Sequence, residues 1–310
     1  MSVTPFTSTL AFDEDEYRKH LKRLVDSGVG VYFASPGSGE GHSLSNDELR
    51  QIYRIGVETC KGKVPTCANI PEGRNAQQLL EKARLAMDAG VDVVQIYTVD
   101  PGHGMRPTEA EQEAFYREVL HEIDYAVGLS VNLLAGGYVT PINLLKRLCY
   151  DYPQIVFINV LQPPTSYLAE LMDAIGPRIA FYSAAEMLAE CLTLGGKGCL
   201  TGHANVVPFL VRSIGRHYVA GRMEKCSQSL MQLFRLNKAV AQFGLDTSAP
   251  PQWSARWLKS AMKVLDVPGH SEGRMRPPYL SPSREDIELL GSMLRSIDVA
   301  AMEGRARELR

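Results

Sequence analysis

The short apolar runs of this chain end, one after another, on side chains that donate or accept hydrogen bonds. Ser35 and Ser38 follow the first run and Asn69 the next. Tyr97 with Asp100, Asn132, Asn159 with Gln162, Ser183 with Glu186, and Thr201 with His203 and Asn205 follow the others. Hydroxyls, amides and imidazoles so placed orient a carbonyl or carboxylate and pass protons to and from it. The set contains no lysine and no Ser/His/Asp order, so it suggests neither an amine nucleophile nor a serine-hydrolase triad. Asp100, His103, Glu186 and His203 offer oxygen and nitrogen ligands for a metal, but their spacing matches no ligand motif, and histidines so placed are more often ordinary loop residues.

The first of these ends is the richest in glycine. Val29 to Ala34 is apolar, with β-branched and aromatic residues, and Pro36, Gly37, Gly39 and Gly41 stop it. Three glycines around Ser38 would let backbone N–H groups approach a carboxylate or phosphate. A tight turn whose glycines serve only geometry fits the same residues. No Gly-Lys-Ser/Thr follows, so it is not a phosphate-binding loop of the Walker type, and its context is not that of a dinucleotide fingerprint. Ser45 and Glu48 form a capping box that starts a helix over Asn46 to Cys60.

The elements that must hold these residues recur at intervals of roughly twenty to forty residues, the spacing of βα units. Strands are expected at Val29–Ala34, Val64–Asn69, Val91–Tyr97, Gly128–Leu133, Ile155–Val160, Ile179–Ser183 and Gly198–Thr201, with helical periodicity between them. Val3 to Phe6 would supply a short first strand. Eight such strands close a (β/α)8 TIM barrel, whose chemistry sits at the C-terminal ends of its strands. A doubly wound open sheet is the alternative, and it would need a clearer nucleotide loop. After about residue 220 the pattern turns helical: Met223–Phe243, a polar turn over Gly244–Pro251, Gln252–Val267, a Gly/Pro/Arg-rich loop over His270–Ser283, and one last helix over Arg284–Glu308. The expected organisation is therefore a barrel over residues 1–222 with a helical extension over 223–310 packed on it.

With 310 residues, 45% hydrophobic and 22% charged, and a formal net charge of −2, nothing favours nucleic acid or an anionic membrane as a partner. No apolar run approaches about 18 residues, and the first residues lack the pattern of a secretory signal, so a cytoplasmic location is expected. The six cysteines form no Cys-x-x-Cys pair and read as small buried thiols in a reducing compartment. No cofactor is implied.

Several stretches together resemble the dihydrodipicolinate synthase/N-acetylneuraminate lyase family of Schiff-base aldolases. Thr4-Pro-Phe6 is similar to that family's Thr-Pro-Phe. Pro36 to Ser45 is similar to Gly-Thr-Thr-Gly-Glu-x-x-x-Leu-Ser, and Ala89 to Val94 to Ala-Gly-Ala-Asp-Ala. Leu194 to Gly198 and Ala204 to Pro208 are similar to Leu-Gly-Gly-x-Gly and Ala-Asn-x-x-Pro. The resemblance covers nearly the whole chain. It implies an eight-stranded barrel with a C-terminal helical extension and a homo-oligomer, a tetramer built from dimers.

The family's reactive residues do not carry over. Where it has Tyr-Asn-Val-Pro-Gly-Arg this chain has Val131 to Gly136, so Asn132 matches, Val131 stands at the proton-relay tyrosine, and the substrate-binding arginine has no counterpart. Where it has Gly-Ile-Lys-Glu this chain has Phe157 to Val160, with Asn159 at the Schiff-base lysine. The loop Asp100 to Pro107 is longer and lacks the second tyrosine, and Gly37 and Ser38 replace the Thr-Thr pair. An amide is no nucleophile, and Lys63, Lys146 and Lys197 are poorly placed to replace the lysine.

Three readings follow. The first is a lyase or aldolase acting on a small carbonyl or carboxylate compound without a Schiff base. Gly37, Ser38, Asn132 and Thr201 would bind the substrate. Tyr97, His103, His203 and Asn159 would form the catalytic set, one of Tyr97, His103 and His203 being the acid or base, and His103 or Arg106 would reach over the pocket from a mobile loop. The second is an inactive binding or regulatory homologue. The third is a metal-assisted aldolase or hydratase.

Overall fold

The computed structural model describes residues 1–133, 137–161, 164–241 and 254–308. Gln162, the turn at 244–251, and the expected helix bounds Phe243 and Gln252 lie outside them. Seven strands follow one another in the chain: β1 (Val31–Phe33), β2 (Thr66–Asn69), β3 (Val93–Ile96), β4 (Val127–Asn132), β5 (Ile155–Leu161), β6 (Ala180–Ser183) and β7 (Gly198–Cys199). They lie in one sheet in that same order, and each pair from β2 to β7 is parallel. Sequential parallel strands with helical crossovers are the signature of the barrel class expected from the spacing.

By compactness the chain divides into two units. One comprises Met1–Leu44, Ile55–Thr66 and Thr201–Arg310, the other Ser45–Arg54 and Cys67–Leu200. The second unit carries β2 to β7 and the helices α3 (Ala76–Ala89), α4 (Glu109–Glu122), α5 (Ile142–Asp151), α6 (Thr165–Ile175) and α7 (Leu188–Thr193). Local chemistry sets the ends of these helices. Asn75 caps α3 through Gln78 N–H, and Gly90, at φ 81°, ends it. Thr108 and Glu111 form a reciprocal capping box on α4, and Ser45 with Glu48 makes the predicted box on α2 (Asn46–Cys60). The buried stripes Leu79, Leu80 and Ala83 of α3, Phe115 and Val119 of α4, and Leu144, Leu145 and Leu148 of α5 recur at helical spacing. Truncating one of these leucines to alanine costs about 2–5 kcal/mol.

The first unit holds α1 (Glu14–Ser27), α8 (Pro208–Val219), α9 (Met223–Ala241), α10 (Ser254–Val264), α11 (Arg284–Ser296) and α12 (Val299–Glu308). The expected first strand is present as an extended buried segment without a regular ladder. Ser2 N–H donates to Tyr32 O at 2.8 Å on one side, and Val3 N–H donates to the Asn205 amide oxygen at 3.0 Å on the other. It therefore stands where an eighth strand belongs. The single last helix expected from the sequence is two helices. Asp298 adopts a left-handed conformation (φ 51°), and its side chain accepts from Ala301 N–H at 3.3 Å, so the chain is re-capped rather than continued. None of the six cysteines lies in a disulfide, and all but Cys199 are buried. Among the described residues no helix is long and apolar enough to cross a membrane.

Candidate active site

In the second unit, parity along the strands gathers polar side chains on one face of the sheet. Asn69 pairs in register with Gln95, and Gln95 with Gly128. The Gln95 amide donates to the Asn69 side-chain oxygen at 2.7 Å. Gly128 leaves room for the ring of Phe157, since a Cβ there would lie 2.0 Å from it. That ring meets Tyr182 edge to face at 5.5 Å. Two residues further along, Ser130 pairs with Asn159 and Asn159 with Tyr182. Continuing the β3–β4 register by one residue beyond Ile96–Leu129 brings Tyr97 level with Ser130.

Asn159 is 0% exposed, and neither atom of its amide has a hydrogen-bond partner among the described residues; the Ser130 hydroxyl is equally buried and equally unpartnered. A buried amide or hydroxyl left without partners costs about 1–3 kcal/mol, so a native protein keeps such groups for a reason. The pairing also identifies a residue the motif comparison passes over. Val131 pairs with Val160 and, by alternation, points away from Asn159; the side chain beside Asn159 is Ser130. Alternation within Gly128, Ser130 and Asn132 was the available signal. Asn132 is half-buried, two residues beyond Ser130 on the same face.

Tyr97 is buried, and burial is the main reason its phenol is held above its ordinary range, with Glu72 and Cys67 adding to the effect. Glu72 follows β2 and is half-buried. Burial pushes its carboxyl up to about 7; Asp100 adds to the rise, while its own backbone N–H, Lys82 and Arg74 oppose it. Lys82 donates from α3 to the carbonyl of Glu72 at 3.1 Å. Arg74 joins this corner to the following loop through the Asp100 carboxylate at 2.8 Å. Nothing in the sequence singled out Glu72, a charged residue just after Pro71 in a polar loop.

That loop corrects an expectation. His103, in a left-handed conformation at φ 53°, and Arg106 are both exposed. Neither is buried against the strand ends as a covering residue would be, and Asp100 ties the loop to Arg74.

In the first unit the Gly-rich turn is not an anion cradle. Ser38 and Gly39 N–H groups both donate to Ser35 Oγ at 3.2 Å, and Gly39 and Gly41 N–H groups reach Ser35 O. The amides of Ser38, Gly39 and Gly41 are thereby consumed internally. Gly39 is required for close approach, because a Cβ there would lie 2.9 Å from Ser35 N. Gly37 is half-buried in the turn, and Ser38 is buried with its hydroxyl 2.7 Å from where a Cβ on Gly202 would stand. Thr201 and His203 are joined: Thr201 Oγ1 lies 2.7 Å from His203 Nδ1 and accepts from His203 N–H at 3.1 Å. His203 Nε2 lies 2.5 Å from the Asn237 side-chain oxygen. That oxygen only accepts, so Nε2 carries a proton and the Thr201 hydroxyl donates to Nδ1. Both ring nitrogens are thereby engaged, and His203 holds Thr201 rather than offering a free base.

An open groove of about 590 Å³ lies on helices α3 and α4, lined among others by Arg84, Arg117, Glu118 and His121. Its charges partly pair with one another, as Arg84 does with Glu122 at 3.7 Å, and it is not at the strand ends. Among the described residues no three His, Cys, Asp or Glu side chains converge as metal ligands would.

Residues 1–297 match the Dihydrodipicolinate synthetase family. A protein of Oceanobacillus iheyensis recorded as "Probable 5-dehydro-4-deoxyglucarate dehydratase" is 25% identical over 302 residues, covering 94% of this chain and 91% of the relative. The 4-hydroxy-tetrahydrodipicolinate synthase of Methanocaldococcus jannaschii is 26% identical over 302 residues, covering 95% and 96%. Among solved structures, a prophage protein of the dihydrodipicolinic acid synthase family from E. coli K12, in complex with pyruvate, superposes with a TM-score of 0.85 at 20% identity, covering 96% of each chain. The dihydrodipicolinate synthase of Thermotoga maritima gives 0.84 at 19% identity, covering 96% and 97%. The fold is thus the (β/α)8 TIM barrel with a C-terminal helical extension.

Proposed function

Because the chain belongs to the dihydrodipicolinate synthetase family, we propose that it is a lyase or aldolase-type enzyme acting on a small carbonyl or carboxylate compound without an imine intermediate. One observation carries the reading: Asn159, which the motif resemblance puts at the family's Schiff-base position, is a wholly buried amide with neither end partnered among the described residues, beside the likewise unpartnered Ser130 hydroxyl. An amide N–H and a hydroxyl are donors suited to a carbonyl oxygen and to the negative charge that develops on it. Neither attacks carbon, so the carbonyl would be polarised in place rather than converted to an imine.

Tyr97 and Asn132, on the same face, would orient the remainder of the substrate. Its phenol is hard to ionise where it lies, so Tyr97 would act as a hydrogen-bond donor rather than as a base. We further propose a barrel over residues 1–222, an extension over 223–310 and assembly as a homo-oligomer. The relatives support the reaction class by name: one is a dehydratase and the other a synthase.

The test is a panel of small keto, hydroxy and aldehyde acids, with binding measured by calorimetry and turnover by proton NMR. Binding and cleavage or dehydration of at least one compound, both lost in Asn159→Leu, are expected. Tight binding with no turnover across the panel would favour a binding homologue, a reading the same unpartnered groups also fit. Binding unaffected by Asn159→Leu would move the site elsewhere.

A further inference from the structure

We infer that the C-terminal part of α8 carries a binding site for the phosphoryl group of a small molecule, independent of the site read at Asn159. The site is built on one helix face. Phe209, Arg212, Ser213, Arg216 and His217 follow one another at helical spacing on α8, so their side chains lie along one side. The chain then turns at Gly221 (φ 68°), and Arg222 N–H donates to His217 O at 2.8 Å. Arg222 is thereby brought back beside the helix end. These residues and Ala306 of α12 surround one small cavity within a single compact unit. Its volume of about 10 Å³ is that of one water-sized group. One oxygen of a phosphoryl group fits it, with the others at the mouth, where Arg212, Arg216 and Arg222 are exposed.

The buried member of the set is His217. It is 2% exposed, and its Nδ1 has no hydrogen-bond partner among the described residues. Such a group costs stability, so a native chain keeps it for a reason. The charge around it is of one sign. Burial lowers the imidazole's pKa most, and Arg222, Lys225 and Arg216 lower it further. Arg216 and Arg222 make no ion pair and no side-chain hydrogen bond among the described residues. Arg212 is anchored by donating to Ser27 O, and it lies where a Cβ on Gly28 would collide with it. The Glu303 carboxylate of α12 is taken up at the other end of α8, accepting from Phe209 and Leu210 N–H at 2.9 Å.

The carbonyls at a helix C-terminus would repel an anion. Here those of Arg216, His217 and Tyr218 accept from Ala220, Arg222 and Gly221 N–H groups, which blunts the effect. Guanidinium forks match the oxygens of a phosphoryl group, whose charge of about −2 suits several cations better than a carboxylate's single charge. The place separates this ligand from the substrate. Barrel helices run opposite to the strands. The C-terminal ends of α8 and α1, joined through Arg212 and Ser27, therefore lie on the face away from the strand C-termini, where barrel chemistry sits.

Inorganic phosphate is the probe, titrated into the full-length protein at constant ionic strength against chloride. Binding is measured by calorimetry and the histidine ring protons are followed by NMR, with the His217 signal assigned by its loss in His217→Gln. Phosphate should shift that signal along a saturating curve that matches the calorimetric Kd. Arg216→Gln and Arg222→Gln should each weaken binding by about tenfold or more, the loss of one charge-assisted hydrogen bond. Both residues are exposed, so these variants read the site even where His217→Gln does not fold. Arg84→Gln, on the α3–α4 groove, should leave the Kd unchanged, and acetate should bind at least tenfold more weakly than phosphate. Absence of saturable binding, or an unchanged Kd in both arginine variants, overturns the site. An equal loss in Arg84→Gln would mean diffuse attraction to surface charge and overturns it too. Acetate binding as tightly as phosphate overturns the phosphoryl assignment.

Discussion

The Lys259 ammonium rests on the Glu40 carboxylate with both side chains out of water, at 0% and 1% exposure. Glu40 comes from the Gly-rich turn and Lys259 from α10, within one compact unit. Lys259 also donates to Arg274 O at 2.9 Å and lies 4.2 Å from the centre of the Phe6 ring, where Arg276 approaches as well. Breaking such a pair from one side leaves a bare buried charge. Lys259→Met should therefore cost about 3–5 kcal/mol, and adding Glu40→Gln should recover much of that loss. Urea unfolding of both variants checks it; equal loss in the single and double variants would mean that packing, not charge, dominates.

The same pair bears on chemistry. Burial draws the Lys259 ammonium towards its neutral form, and Glu40 opposes this. An amine clamped by a carboxylate with no exposed surface is not available for attack on a carbonyl. Incubation with pyruvate and borohydride followed by intact-mass measurement should show no stoichiometric adduct. An adduct mapping to any one lysine, Lys259 included, would show that an amine reaches the substrate and that the amide reading of the site is wrong.

Much of this architecture is legible in the residues, and the reason is local. The apolar runs, the Ser45–Glu48 box and the glycine at the end of α3 are short-range signals, and each marks a real boundary. Strand parity goes further, because it singles out Ser130 once Asn159 is in view. Three features escape such reading. Lys259 lies on an amphipathic helix like any surface lysine, and only its distant partner Glu40 explains it. Glu72 gains its character from burial, which no motif encodes. The glycines around Ser38 suggested a cradle for a ligand, yet Ser35, within the same turn, takes the amides of Gly39 and Gly41.

His20 gives a pH dependence of known sign. It is fully buried, and its Nε2 donates to the Asn205 side-chain oxygen at 2.8 Å. The Asn205 orientation is fixed by its amide donating to Met1 O and Gly202 O. Burial, more than nearby Arg23, lowers the imidazole from 6.5 to about 3. The unfolded chain therefore binds a proton between those pH values that the folded chain refuses. Stability should be full above 6.5 and fall as pH drops towards 3, by up to about 1.4 kcal/mol per pH unit for this one group. In His20→Gln the slope between pH 6.5 and 4 should be shallower. An unchanged slope would assign the acid sensitivity to other groups.

His203 links Thr201 to Asn237, and its ring lies against Trp257 at 5.2 Å. His203→Ala should cost about 1–3 kcal/mol by stranding two polar partners. The double variant with Asn237→Ala should cost less than the sum of the singles, since they share one chain of bonds. Strict additivity in a thermodynamic cycle would mean the two residues act independently.

Asn159→Leu separates stability from function most sharply. Leucine is close to asparagine in size, and it removes two polar atoms that have no partner among the described residues. Nothing bonded is lost, and the desolvation penalty of the amide disappears. Folding should gain about 1–3 kcal/mol, while affinity for any carbonyl ligand should collapse. Ser130→Ala should do the same more weakly, because a hydroxyl is smaller and easier to desolvate. Such a stabilising loss of function is the mark of groups retained for a ligand rather than for the fold. Urea unfolding of the free protein, with calorimetric binding alongside, reads both quantities. A destabilised Asn159→Leu would mean that the amide is already satisfied within the folded chain, and the proposed carbonyl site would fall with it.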